Sequence, residues 1–131
     1  MSGAEQERRK PRHPNELHDV YDFLDEVRLR PGMWVRRSSL LHLDSMLTGF
    51  WVAEQVHDAH TEWGFRDGKW DFSHLGPFST WLWSRLGMKH PSALGWAVEI
   101  ERAAEAEGKP GMELFFELLD DFRAEQTDAG P

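Results

Sequence analysis

Cysteine is absent from the 131 residues. That excludes disulfides, zinc–thiolate sites, iron–sulfur clusters and thiol catalysis together. Long apolar runs are absent too, and nothing approaches the roughly 20 residues that cross a bilayer. The opening MSGAEQERRK is charged, with no apolar stretch behind it, so it does not read as a secretory leader. A cytoplasmic location is the simplest expectation. Catalytic signatures are missing as well. There is no G-x-S-x-G elbow, no Gly-rich phosphate loop and no H-E-x-x-H pair. No cofactor and no metal site is expected.

Two features are abundant. Seven Trp and eight Phe are many for a chain of this length. Each buries about 150–250 Å² when internal, so few positions suffice for a dense core. The second feature is acidity: 15 Lys+Arg face 23 Asp+Glu, for a net charge of −8. The imbalance is uneven. Residues 1–37 carry net +1, whereas 38–131 carry −9 and 99–128 alone carry −7. An acidic body disfavours nucleic acid and anionic membranes, and suits a basic protein partner.

Hydrophobic spacing predicts one all-α domain over 15–125, with a disordered basic arm (1–14) and a short tail (126–131). Four to five helices are expected. The first spans Asn15 to Leu29, with Asn15 as N-cap and Leu17, Val20, Phe23 (or Leu24) and Val27 in one stripe, ended by Pro31 and Gly32. The second spans Ser39 to His60. Leu40, Leu43, Leu47, Phe50 and Ala53 line one face, and Leu41, Val52 and Val56 another. Apolar over most of its circumference, it should be central, and a close helix crossing would explain Gly49. Residues 61–77 read as an aromatic loop or a small hairpin around Asp67-Gly68. A short helix from Phe78 to Leu86 ends at Gly87. Ser92 caps a helix over 93–107, and Lys109-Pro110-Gly111 links it to a last helix over 111–125. So short a link makes an αα-hairpin.

Candidate sites are few. Glu113, Glu117 and Asp121 fall at i, i+4, i+8 on the last helix. Like charges at that spacing oppose helix formation, with only Lys109 and Arg123 near to offset them. They read either as a solvated face or as a docking face for a basic protein. In the Trp-rich middle, Trp63 and Trp70 are candidate interface anchors. Trp81 and Trp83, two apart on a helix, cannot both point fully inward. His57 and His60 share a face but lack a readable third ligand.

The segment Arg30-Pro31-Gly32-Met33-Trp34 invites two comparisons. It resembles the RPGMY segment of gyrase-B-like ATPases, but the D-x-G-x-G loop and the Asn-bearing helix of that family are missing. It also resembles a loose group of small bacterial proteins with R-P-x-M-Y, then S-[IL]-x-x-L and G-[YF], and a closing F-x-x-F-F-x-L segment. Here these are Arg30 to Trp34, Ser39 to Leu43, Gly49-Phe50 and Leu114 to Phe122. That resemblance implies an all-helical fold and an association with toxin immunity. Physically, Pro31-Gly32 makes a turn, Met33 and Trp34 plug its underside, and Arg30, Arg36 and Arg37 could pair with acids of the last helix.

These readings converge on a non-enzymatic protein-binding module, in its most concrete form an acidic immunity-type protein that masks a basic toxin. The alternatives are a small metal-dependent hydrolase using the His57/His60 region, or a regulatory adaptor.

Overall fold

The computed structural model describes residues 10–57 and 76–128. Among them are six α-helices and no strand. The mid-chain segment over which a loop or hairpin is expected lies mostly outside the described residues, and Trp63, Trp70 and His60 with it.

Helix α1 (Val20–Leu29) begins five residues later than the periodicity suggests. Pro14–Glu16 instead forms a 3-10 turn capped by His13, whose Nδ1 accepts from the Asn15 N–H at 3.2 Å. Asp19 caps α1 by accepting from the Asp22 N–H at 2.8 Å. Both Asn15 and Asp19 can cap a helix. Asp19 wins because burial starts at Val20, and helices in proteins are held mainly by their packed face.

Arg12, expected in a disordered arm, is bound into the domain. Its backbone N–H and its Nε donate to the two carboxylate oxygens of Glu26, at 2.9 and 2.8 Å. Glu26 lies on the inner face of α1, 1% exposed. The hydrogen bond to Glu26 holds the Arg12 guanidinium above its ordinary pKa, and Glu26, Asp22 and Asp25 add attraction.

Arg30 leaves helical angles before Pro31, and a single helical turn, α2 (Pro31–Trp34), follows. A 3-10 turn at Arg36–Ser38 leads into α3 (Leu40–Val56), capped by Ser39 Oγ. Three expectations for α3 are corrected. It ends at Val56, not His60. Its buried stripe is Leu40, Leu43 and Leu47, with Phe50 half-buried, while Ala53, Leu41, Val52 and Val56 are exposed. Gly49 is exposed with open space around it, so no helix crossing explains it. Apolar residues around a helix do not by themselves bury every side of it.

Helix α4 (Pro77–Arg85) ends in a left-handed Gly87, as expected. Trp83 is buried and Trp81 half-buried, as their spacing requires. Helix α5 (Trp96–Glu107) starts later than Ser92 suggests. Ser92 Oγ caps a turn by accepting from the Leu94 N–H and donates to Glu99 at 2.6 Å. Gly95, at φ 93°, then redirects the chain, which other residues resist. Helix α6 (Gly111–Asp128) follows across the short link, and the two helices pack as a hairpin.

Aromatic rings fill the centre of the core. Phe78 meets Trp96, Phe115 and Phe122 edge-on at 6.0, 6.0 and 5.4 Å. Trp96 and Phe115 lie 5.1 Å apart. Trp96 also donates its indole N–H to Asp44 at 3.2 Å, tying α5 to α3.

Candidate protein-binding surfaces

Helix α6 turns Phe115, Leu118, Leu119 and Phe122 inward, so Glu113, Glu117 and Asp121 face outward by register. The structure gives the three different surroundings. Glu113 is exposed, with no ionic partner among the described residues. Glu117 accepts from Lys109 Nζ at 3.0 Å, and the same ammonium lies 3.5 Å from Glu107. Asp121 pairs with Arg85 of α4 at 2.8 Å. The adjacent Asp120 pairs with Arg28 of α1 at 2.9 Å.

This corrects the expectation that only Lys109 and Arg123 are near enough to offset the row of acids. Two of the three are neutralised from within. The hydrogen bond to Glu117, then attraction to Glu117 and Glu107, raises Lys109 above its ordinary 10.5. The arginines serve twice. Arg28 lies over the Phe116 ring at 5.3 Å and Arg85 over Trp81 at 5.5 Å, while Arg123 stacks on Tyr21 at 4.1 Å. Exposed pairs of this kind contribute about 0–1 kcal/mol each. Their combined effect is to lock the outer edge of α6 to α1 and α4. The hairpin still has acid to spare, because two arginines from outside do not cancel the net −7 of residues 99–128.

The second surface surrounds α2. The spacing of Arg30, Pro31, Gly32 and Trp34 does build a turn, but its plug is only half present. Trp34 packs edge-on against Phe23 at 5.7 Å, whereas Met33 is 67% exposed. One helical turn cannot aim two successive side chains at the same neighbour. Phe23 also stacks on Phe50 at 6.3 Å. Pro14, Leu17, His18 and Asp19 complete a groove with these three rings, about 270 Å³ in volume. Nor do Arg30, Arg36 and Arg37 pair with the last helix. All three are exposed, and Arg28 takes the contact with α6 instead. The sequence does not reveal this groove, because Pro14 and Leu17 reach it only through the 3-10 turn that replaces the expected first helical turn.

His57 follows the last turn of α3 and is exposed. Among the described residues, no group of three His, Asp or Glu side chains could hold a metal ion, and no helix is long and apolar enough to cross a membrane. Neither a family model, nor a curated protein, nor a solved structure matches the chain.

Proposed function

We propose that the chain is a non-enzymatic protein-binding module whose acidic α5–α6 hairpin receives a basic protein. The single observation that supports this is the charge left on the hairpin after its internal pairs are made. Glu105, Glu113 and Glu125 are exposed there, and Glu113 heads the row on α6. Surplus charge of one sign does not help folding, yet it accelerates encounter with an oppositely charged partner. An immunity-type protein that masks a basic, nucleic-acid-cleaving toxin is the most concrete form of this reading. Such a toxin's active site must attract phosphates, and a row of carboxylates competes for the same field.

The test is kinetic. The protein that co-purifies from native lysate is identified, purified, and its association rate with the chain followed across a salt series. The expected partner is basic, with a rate that falls steeply as salt shortens the Debye length from about 10 Å at 0.1 M. Glu113→Lys should slow association several-fold and leave dissociation nearly unchanged. A rate indifferent to both salt and Glu113→Lys overturns the reading.

A further inference from the structure

From Val27 to Leu43 the chain has no acidic residue and four arginines. In a protein of net charge −8 that is a local inversion. Arg28 is consumed by Asp120 and Phe116. Arg30, Arg36 and Arg37 remain exposed, with no acidic partner among the described residues. Every other described arginine is engaged: Arg12, Arg28, Arg85 and Arg102 with carboxylates, Arg123 with a ring. Excess acid in the chain has therefore not been directed to these three.

Their backbone is held out deliberately. Arg37 and Ser38 have φ of 58° and 50°, a left-handed conformation that costs a side-chain-bearing residue about 1–2 kcal/mol. The turn persists because Val35 and Leu40 on either side are buried, and the Ser38 and Ser39 N–H groups donate to Val35 and Arg36 carbonyls. Arg36 and Arg37 thus project from a clamped turn rather than a loose one, and Arg30 from the start of α2.

Trp34 joins this turn to the groove it forms with Phe23 and Phe50. An engineered apolar cavity of about 150 Å³ holds a benzene ring. A groove of about 270 Å³ takes one bulky apolar side chain with its stem. Asp19 lines the groove, and its charge is partly offset. It caps α1, where the helix dipole offsets its charge.

We propose that Arg30, Arg36 and Arg37, each within four residues of Trp34 along the chain, together with the Phe23–Trp34–Phe50 groove, bind a short acidic segment of a protein partner through one apolar anchor flanked by carboxylates. Guanidinium forks match carboxylates in geometry as well as charge. The acidic remainder of the molecule selects against extended polyanions. A nucleic acid or an anionic membrane would bring its charge against the rest of the −8 body, whereas a short peptide meets fewer of the acids, Asp19 at the groove among them. This surface is separate from the α5–α6 hairpin and stands whether or not that hairpin binds a basic protein.

The experiment is fluorescence anisotropy with the full chain and three labelled probes. One is a short peptide of glutamates and aspartates around a single phenylalanine, one the same peptide with alanine for phenylalanine, and one a single-stranded oligonucleotide of equal charge. Saturable binding of the first is expected, at least about fivefold weaker for the second and weaker still for the third. Arg36→Glu with Arg37→Glu should reduce the first at least about tenfold, with the melting temperature as a check on folding. If that pair unfolds the chain, Arg30→Gln with Arg36→Gln should still reduce binding about threefold or more. Three results overturn the proposal: no saturable binding, binding indifferent to the arginine substitutions, or preference for the oligonucleotide. Sedimentation of the chain alone adds a fourth. Self-association that disappears in the arginine variants would mean that the surface receives a second copy of this chain.

Discussion

The two ends of the molecule use the same residue types in opposite ways. Around α4 to α6, most aromatic rings are internal and the basic groups that reach α6 are paired, with acid left over. Phe78, Trp96, Phe115 and Phe122 stack in the core, and Lys109, Arg28 and Arg85 meet acids of α6. Around α2, the rings of Phe23, Trp34 and Phe50 stay half-buried along a groove, and three arginines stay unmatched. A region whose groups are mutually satisfied stabilises the fold. One that leaves rings and cations at the surface adds less, and a folded chain tolerates that only where the rest is stable enough.

The largest effect that can break this comparison is a core truncation. Phe115→Ala should cost about 3–5 kcal/mol, while Trp34→Ala at the groove should cost less than half of that. Urea titration of both variants decides the matter, and equal losses would mean the two ends are packed alike. Next comes the buried clasp. Arg12→Ala removes the guanidinium from the Glu26 carboxylate and should destabilise by about 2–3 kcal/mol, whereas Arg36→Ala should stay within about 0.5 kcal/mol. A similar loss for both would show that Arg36 has a structural partner after all.

Asp44 gives an intermediate effect and a pH signature. Burial raises its carboxyl above the ordinary 3.8, and the hydrogen bond from Trp96 pulls it partly back. The folded state therefore holds the Asp44 proton more tightly than the unfolded chain does. Its contribution to stability is full below 3.8 and is lost as pH rises through the raised folded value. Asp44→Ala should cost about 1–2 kcal/mol, because the buried indole N–H loses that acceptor. Asp44→Asn keeps an acceptor for Trp96, so it should cost less, and it should remove the part of the stability loss that sets in as pH rises from 3.8. A melting-temperature profile unchanged over that range would assign the pH dependence to other carboxylates.

Smaller effects sharpen the surface side. Asp121→Ala breaks the exposed pair with Arg85 and should cost under about 1 kcal/mol, less in high salt. Thermal melting at two salt concentrations measures it, and a larger salt-independent loss would make the pair a true structural staple. Ser79 is fully buried, and its hydroxyl has no hydrogen-bond partner among the described residues. Ser79→Ala should be neutral or slightly stabilising, by at most about 1 kcal/mol. A clear loss in a melting experiment would reveal a partner for that hydroxyl.

Legibility differed by element for a physical reason. The α5–α6 hairpin was readable because a two-residue link between Gly108 and Gly111 leaves two helices few ways to pack other than side by side. Helix starts were less readable. Asn15, Asp19, Ser39 and Ser92 can all cap a helix, but only Asp19 and Ser39 do so here. The choice depends on where packing begins, and at Ser92 a Gly95 turn intervenes. Of the candidate site, the row Glu113, Glu117 and Asp121 was legible from its spacing, but its neutralisation was not.

Local periodicity, turn residues and charge totals belong to the sequence alone. They determined an all-helical chain, the hairpin of α5 and α6, the stop at Pro31 and an acidic C-terminal half. The tertiary structure decided which charges meet. Arg28 and Asp120 are 92 residues apart, and Arg85 and Asp121 are 36 apart. No spacing rule links residues so distant, because their approach is set by how α1 and α4 lean on α6. The same packing brought Pro14 and Leu17 beside Trp34, and left Arg30, Arg36 and Arg37 facing solvent with no acidic partner among the described residues.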